Sequence, residues 1–188
     1  IPDYPGHGKS NGTRGHLSNL DFLALDLVDM INLFAKSEAD LLLMGKGLGA
    51  LCSFKIIHSY HHLLQCRIKG SIAINPALKM KWTIPKFLQK IKIQKLSALT
   101  KLKLPFQIDG LTSSQLSVDG LAFDQDPLVA HGLTLGSFSE MQRLGAKLRT
   151  CSYYIDLPVL IILKNGNDSI FDQGVSELFA RGLGAGQV

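Results

Sequence analysis

The sequence predicts an α/β fold, a parallel sheet flanked by helices and interrupted by one long helical insertion. Short apolar runs of strand length alternate with segments of helical period, the pattern of parallel strands joined by crossover helices. The strand candidates are near-continuous hydrophobic stretches, as parallel strands covered on both faces are. A segment of about 77 to 150 with its own helical pieces, punctuated by Pro85, Pro105 and Pro127, separates the second strand candidate from the third.

Each element has a local reason. Ser18, with Asp21 three residues on, resembles a capping box with aspartate in place of the usual glutamate. Behind it Leu20, Ala24, Leu27, Ile31 and Phe34 recur at steps of four and three, one face of a helix expected over about 18 to 36. Leu41 to Met44 is a continuous apolar run ended by Gly45, Gly47 and Gly49, and it reads as a fully buried strand. Ala50 to Leu64 reads as a helix. Ile68 to Ile74 is a second strand, stopped by Asn75 and Pro76. Val159 to Leu163 is a third, stopped by Asn165, Gly166, Asn167 and Asp168, and a final helix is expected from Asp172 to Leu183.

Composition narrows the class. With 188 residues, 46% hydrophobic and 19% charged, the chain is long enough for one domain with a buried core and ordinary for a globular protein. No apolar run reaches the roughly 18 residues a membrane-spanning helix requires, and no signal-peptide pattern opens the chain. It begins at Ile1 within a turn-rich stretch (Pro2, Pro5, Gly6, Gly8) and is expected to be a piece of a larger domain. Cys52, Cys66 and Cys151 are odd in number and lack metal-ligand spacing, which suggests reduced thiols in a cytoplasmic setting. The net charge of +5 is local: residues 79–103 carry eight lysines and no acid, and the remainder of the chain is net acidic.

The central motif is Gly45-Lys46-Gly47-Leu48-Gly49, between a strand and a helix. G-x-S-x-G at such a place is a tight turn that exposes a nucleophilic serine, its middle residue held in a strained conformation. Here the middle residue is Gly47, for which those dihedrals carry no strain, so the turn can persist without the nucleophile. Gly45-x-Gly47-x-x-Ala50 equally fits the looser dinucleotide fingerprint G-x-G-x-x-G/A. That fold requires an acidic residue after the next strand, and none occurs from Cys66 to Trp82. The motif alone leaves both readings open.

The flanking segments favour the first. Asp3-Tyr4-Pro5-Gly6-His7-Gly8-Lys9-Ser10, continuing through Arg14-Gly15-His16, resembles the D-x-P-G-H-G-x-S loop of the monoacylglycerol lipase, lysophospholipase and serine aminopeptidase-like branch of the α/β-hydrolases. Asn75-Pro76-Ala77-Leu78 resembles that family's entry into its lid. Asp126-Pro127-Leu128-Val129, with Thr134 and Glu140, resembles the lid's end. Leu157 to Leu163, then Gly166-x-Asp168-x-x-Phe171-Asp172, is similar to the strand and loop of the catalytic acid. The pieces follow in family order over nearly the whole chain.

The resemblance implies a partial α/β-hydrolase fold: core over 1–76, helical lid over 77–150, core again over 151–188. It places Gly47 at the nucleophile position, the Leu48 backbone N–H as one oxyanion donor, and Asp168 as the triad acid that orients the histidine. The histidine and second oxyanion donor are expected outside these residues, and the first strands with them, leaving the Leu41–Met44 edge prone to aggregation. The plainer alternative is that Asp168 caps its loop or the following helix. The implied activity is hydrolysis of lipid-like esters, a monoacylglycerol or lysophospholipid, without cofactor or metal and without turnover while Gly47 stands. A non-catalytic binding module and, less favoured, a dinucleotide-binding domain are the alternatives.

Other features carry less. Gly8-Lys9-Ser10 resembles the end of a P-loop, but the required first glycine falls at Asp3. His58, His61 and His62 lack the carboxylate or cysteine motif that would complete a zinc site. In the lysine-rich segment Phe87, Leu88, Ile91, Leu99 and Leu102 interleave with lysines, as in a basic amphipathic lid touching an anionic membrane from the cytoplasm. Lysine stems packed over apolar neighbours explain the pattern as well. Nucleic acid is not expected, because aromatic stacking residues are sparse.

Overall fold

The computed structural model describes residues 2–81, 100–104, 117–118, 121–122, 126–130, 132–166, 168 and 170–184. Phe87, Leu88, Ile91, Leu99 and the lysines between Trp82 and Leu99 lie outside the described residues, so the amphipathic reading of that segment rests on sequence. The chain divides into two compact units, residues 1–19 with 82–140 and residues 20–81 with 141–188.

The second unit holds a three-stranded parallel sheet in the order β1 (Asp40–Lys46), β2 (Arg67–Ile74), β5 (Val159–Ile162). Its helices are α1 (Leu20–Phe34), α2 (Leu48–Lys55), α4 (Gln173–Arg181) and the later part of α3 (Leu135–Thr150). A short antiparallel pair, β3 (Ser117–Val118) with β4 (Leu121–Ala122), belongs to the first unit.

The apolar period makes α1 a helix, but its buried face is shifted: Leu20 and Ala24 are buried together with Leu23 and Val28, while Leu27 and Ile31 are half-buried and Phe34 is exposed. Asp21, in its first turn, accepts from Lys55 Nζ at 2.7 Å and from the Arg143 guanidinium at 2.6 Å. Lys55 is buried and donates also to Ser59 Oγ at 3.2 Å. A cation so far from water requires partners of this kind. Phe54 of α2 and Phe179 of α4, both buried, pack with ring centroids 4.9 Å apart.

Two expectations need correction. The run from Leu41 to Met44 is not fully buried. Leu43 is enclosed while Leu42 and Met44 are exposed, because β1 is an edge strand and only one face of the sheet is covered. The helix expected over Ala50 to Leu64 is α-helical only to Lys55. It widens into a π-turn over Ile56–Tyr60 and tightens into a 3-10 turn over His61–Leu63. Ile56 and Ile57, adjacent β-branched residues, crowd an α-turn and sit where the widening begins.

In the first unit the loop of residues 2–19 is pinned by its own polar groups. Asp3 accepts from the Lys9 backbone N–H at 2.9 Å, and Ser10 Oγ donates to Asp3 O at 2.7 Å. Ser137 Oγ donates to Gly15 O at 2.8 Å and accepts from Leu17 N–H at 2.7 Å. His16 Nδ1 lies 2.8 Å from Thr134 Oγ1, and burial, then the charge of Lys101, holds the imidazole pKa below its ordinary value. Thr134 and Glu140, expected at the end of a lid, are both buried at α3.

Candidate active site

Three parallel strands place their following turns on one edge of the sheet, where ligands of open α/β folds bind. Gly47 follows β1 on that edge, Asn75 follows β2, and the loop with Asp168 follows β5.

Gly47 has φ 55° and ψ −111°, a conformation that strains any residue with a side chain. Its N–H donates to Ile74 O at 2.9 Å; its carbonyl accepts from Leu51 N–H at 3.2 Å and Ala77 N–H at 3.1 Å. Both neighbouring segments therefore hold the bend. A Cβ at residue 45 would collide with the backbone of Gly49 and Ala50, so the strand-to-helix crossing there demands glycine. A Cβ at residue 47 would meet only the Phe171 ring, at 3.7 Å, an ordinary contact. There is room for a side chain where none exists. Leu48 is the first residue of α2, where backbone N–H groups have no acceptor within the helix.

Asp168 is buried, and its Oδ1 accepts from Ile170 N–H at 2.7 Å and Phe171 N–H at 2.9 Å. One carboxylate oxygen thus shapes the loop. Oδ2 receives no hydrogen bond among the described residues. Phe171 joins the two positions: its backbone is held by Asp168 and its ring faces residue 47.

Two positioning residues lay hidden in the sequence. Asn75, expected only to stop a strand, takes φ 41°, and its Oδ1 accepts from Lys164 N–H at 2.7 Å, clasping the start of the acid loop. The signal available was the residue type, since asparagine tolerates left-handed backbone. Lys79 is drawn out of the basic segment by Asp172, at 2.9 Å. Residues 79–81 run antiparallel along 170–172, with Lys81 N–H to Ile170 O and Asp172 N–H to Lys79 O, both at 2.9 Å, around a bridge between Met80 and Phe171.

His58, His61 and His62 do not converge. His61 Nδ1 donates to Ile57 O at 2.8 Å, and His58 Nδ1 pairs with Ser59 Oγ at 2.7 Å. Among the described residues no group of three His, Cys, Asp or Glu could hold a metal ion. No described helix is long and apolar enough to cross a membrane.

Solved structures share the fold. The chain is similar to a monoacylglycerol lipase of Paleococcus ferrophilus, at 25% identity and a TM-score of 0.73, over 98% of this chain and 68% of that one. It shares its fold with a soluble variant of monoglyceride lipase from Saccharomyces cerevisiae, solved in complex with a substrate analogue, at 19% identity and a TM-score of 0.63, over 98% and 64% of the two chains. The metagenome-derived lipolytic enzymes LipS and LipT give 19% identity and a TM-score of 0.60, over 90% of this chain and 61% of that one. The chain therefore spans roughly two thirds of the length of these structures, and its fold is of the lipid-ester hydrolase type. No curated protein sequence matches it. The family model described as serine aminopeptidase, S33, matches residues 1–188, the whole chain, which therefore belongs to that family of α/β-hydrolases.

Proposed function

We propose that the site at Gly47 and Asp168 is built for a lipid-like carboxylic ester, a monoacylglycerol or lysophospholipid, and binds it without hydrolysing it. The observation that carries this is the backbone of Gly47, bent as a nucleophile elbow requires, with the Phe171 ring at contact distance from where a Cβ would stand, but with no oxygen to attack a carbonyl. In such a site the Leu48 N–H would face the ester oxygen and Asp168 Oδ2 would orient a histidine. Loss of a triad nucleophile costs on the order of a million-fold in rate. The lysine-rich segment at 79–103 would serve as a lid whose cations face an anionic membrane.

The test offers the chain a short 4-nitrophenyl ester and, separately, a monoacylglycerol ether analogue that cannot be cleaved. We expect analogue binding by calorimetry and no ester turnover above buffer. Turnover by the parent chain would mean a nucleophile elsewhere, and loss of analogue binding in both the parent and Gly47→Ser would remove the ester site altogether. Turnover appearing only in Gly47→Ser, made in the longer protein expected to carry the histidine, would assign the inactivity to that one missing oxygen.

A further inference from the structure

A cavity of about 400 Å³ opens in the second unit at the amino ends of the strands, between the turns that follow α2 and the chain that enters β5. β2 spans eight residues, on the order of 25 Å, from there to the edge that carries Gly47 and Asp168. None of the cavity's walls belongs to β1, beside which further strands are expected. Two departures from regular structure build its floor. The π-turn over Ile56–Tyr60 brings in the buried Ile57, and single π-turns are frequent at functional sites. The register between β1 and β2 slips after Leu41: Leu41 stands beside Ile68 and Leu42 beside Gly70, which leaves Lys69 without a partner in β1. Ile68 therefore shares the covered face with Leu41 and Leu43, and it lines the cavity together with Leu157.

The rim is polar and carries both charges. Arg67 is held at Nη2 alone, by Asp40 at 3.3 Å and the Glu38 carbonyl at 3.5 Å, and so exposed an ion pair contributes little. Its Nε and Nη1 hydrogens have no acceptor among the described residues. Asp156 is exposed and forms no ion pair among the described residues, with Arg67 or any other cation. His61 donates from Nδ1 to Ile57 O at 2.8 Å, so the neutral ring keeps Nε2 as an acceptor. Tyr154 completes the wall, its ring stacked on Tyr153 at 4.0 Å between centroids and met edge-on by His58 at 6.1 Å.

We propose that this cavity binds a small zwitterion with an apolar body, an α-amino acid about the size of phenylalanine. Its carboxylate bonds Arg67, whose planar fork suits that group. Its ammonium bonds Asp156 and Nε2 of His61, and its side chain lies on Ile57, Ile68 and Leu157 beside the Tyr154 ring. Charge selects the class. A lone anion would face Asp156 unpaired and a lone cation would face Arg67, so only a ligand of both signs satisfies both residues. Size follows from volume: the cavity equals the share of roughly a dozen waters, and phenylalanine has about twelve non-hydrogen atoms. None of this depends on the ester site.

Calorimetry on the chain tests it with L-phenylalanine, with 3-phenylpropionate and phenethylamine, which each lack one charge, and with phosphocholine, a zwitterion of another class. Phenylalanine should bind with a dissociation constant on the order of 1 mM. The singly charged probes should bind at least about tenfold more weakly, each lacking one charge-assisted bond. Two variants of exposed residues trade these preferences. Arg67→Gln should bind phenylalanine no better than phenethylamine, and Asp156→Asn no better than 3-phenylpropionate. The uncleavable monoacylglycerol ether should leave phenylalanine bound. No saturation by phenylalanine up to about 20 mM, singly charged probes that match it, or an affinity unchanged in both variants would overturn the proposal. Tighter binding of phosphocholine, or displacement of phenylalanine by the ether, would overturn it too.

Discussion

Lys79 and Asp172 are tied twice, by an ion pair at 2.9 Å and by a backbone hydrogen bond from Asp172 N–H to Lys79 O at 2.9 Å. The pair fastens the chain leaving β2 to the loop that carries Asp168 and Phe171. Asp172 is also the N-cap of α4, accepting from Val175 N–H at 3.3 Å. The Lys79 bond holds its carboxyl below the usual range; burial opposes it, and the cap bond from Val175 adds to the lowering.

These two roles separate by substitution. Lys79→Met removes only a partly exposed ion pair and should cost at most about 1 kcal/mol. Asp172→Ala removes the cap as well and should cost about 1–2 kcal/mol. Urea midpoints compare them, and equal losses would mean that the cap contributes nothing.

The two elbow glycines should respond differently. Gly45→Ala drives a methyl into the backbone of Gly49 and Ala50 and should prevent folding or shift the melting point sharply. Gly47→Ala meets no obstacle and bears only the strain of its positive φ, about 1–3 kcal/mol. Thermal unfolding of the two variants gives the order, and a Gly45→Ala protein as stable as the parent would show that β1 and α2 can move apart there.

Asp21 supplies a pH signature. Burial pushes its carboxyl upward, but the bonds from Lys55 and Arg143 outweigh this and leave it below its ordinary value. A lowered folded-state pKa stabilises the fold above the unfolded value, about pH 4, and that contribution is lost as pH falls through the folded value. Asp21→Asn should therefore lose on the order of 2 kcal/mol at neutral pH. Its unfolding curve should converge with the parent's below about pH 4. A constant difference down to pH 2 would assign the loss to packing.

The thiols should react in a fixed order. Cys52 is buried and its pKa is pushed up to about 12 by that burial, and Cys66 is buried as well. Cys151 is only half-buried. Iodoacetamide on the native chain, read by peptide mass, should modify Cys151 first and Cys52 only after denaturation.

Most of the strand-and-helix order was readable because each element repeats a period over enough residues to outweigh local preference. The apolar spacing of Leu20 to Phe34 could become only a helix, and Ile68 to Ile74 only a strand. The glycines at 45 and 47 announced a sharp bend for steric reasons that hold in any protein. What sequence could not supply was the neighbour. Nothing in Leu42 or Met44 says that one face of their sheet is bare, because exposure depends on which helices arrive. Nor could spacing pair Lys79 with Asp172 or Asn75 with Lys164, since each pair meets only after the intervening chain has folded back.

The clasp at Asn75 has a consequence for chemical ageing. Asparagine degrades when the next residue's backbone nitrogen attacks the side-chain amide and closes a ring. The next residue here is Pro76, whose nitrogen carries no hydrogen, so that closure is blocked and the bond to Lys164 is protected for the life of the molecule. Asn165 precedes the unhindered Gly166 and has no such shield. Damage with time should therefore strike at Asn11 before Gly12 and at Asn165 before Gly166, the second inside the loop that Asn75 restrains, while the restraint itself endures.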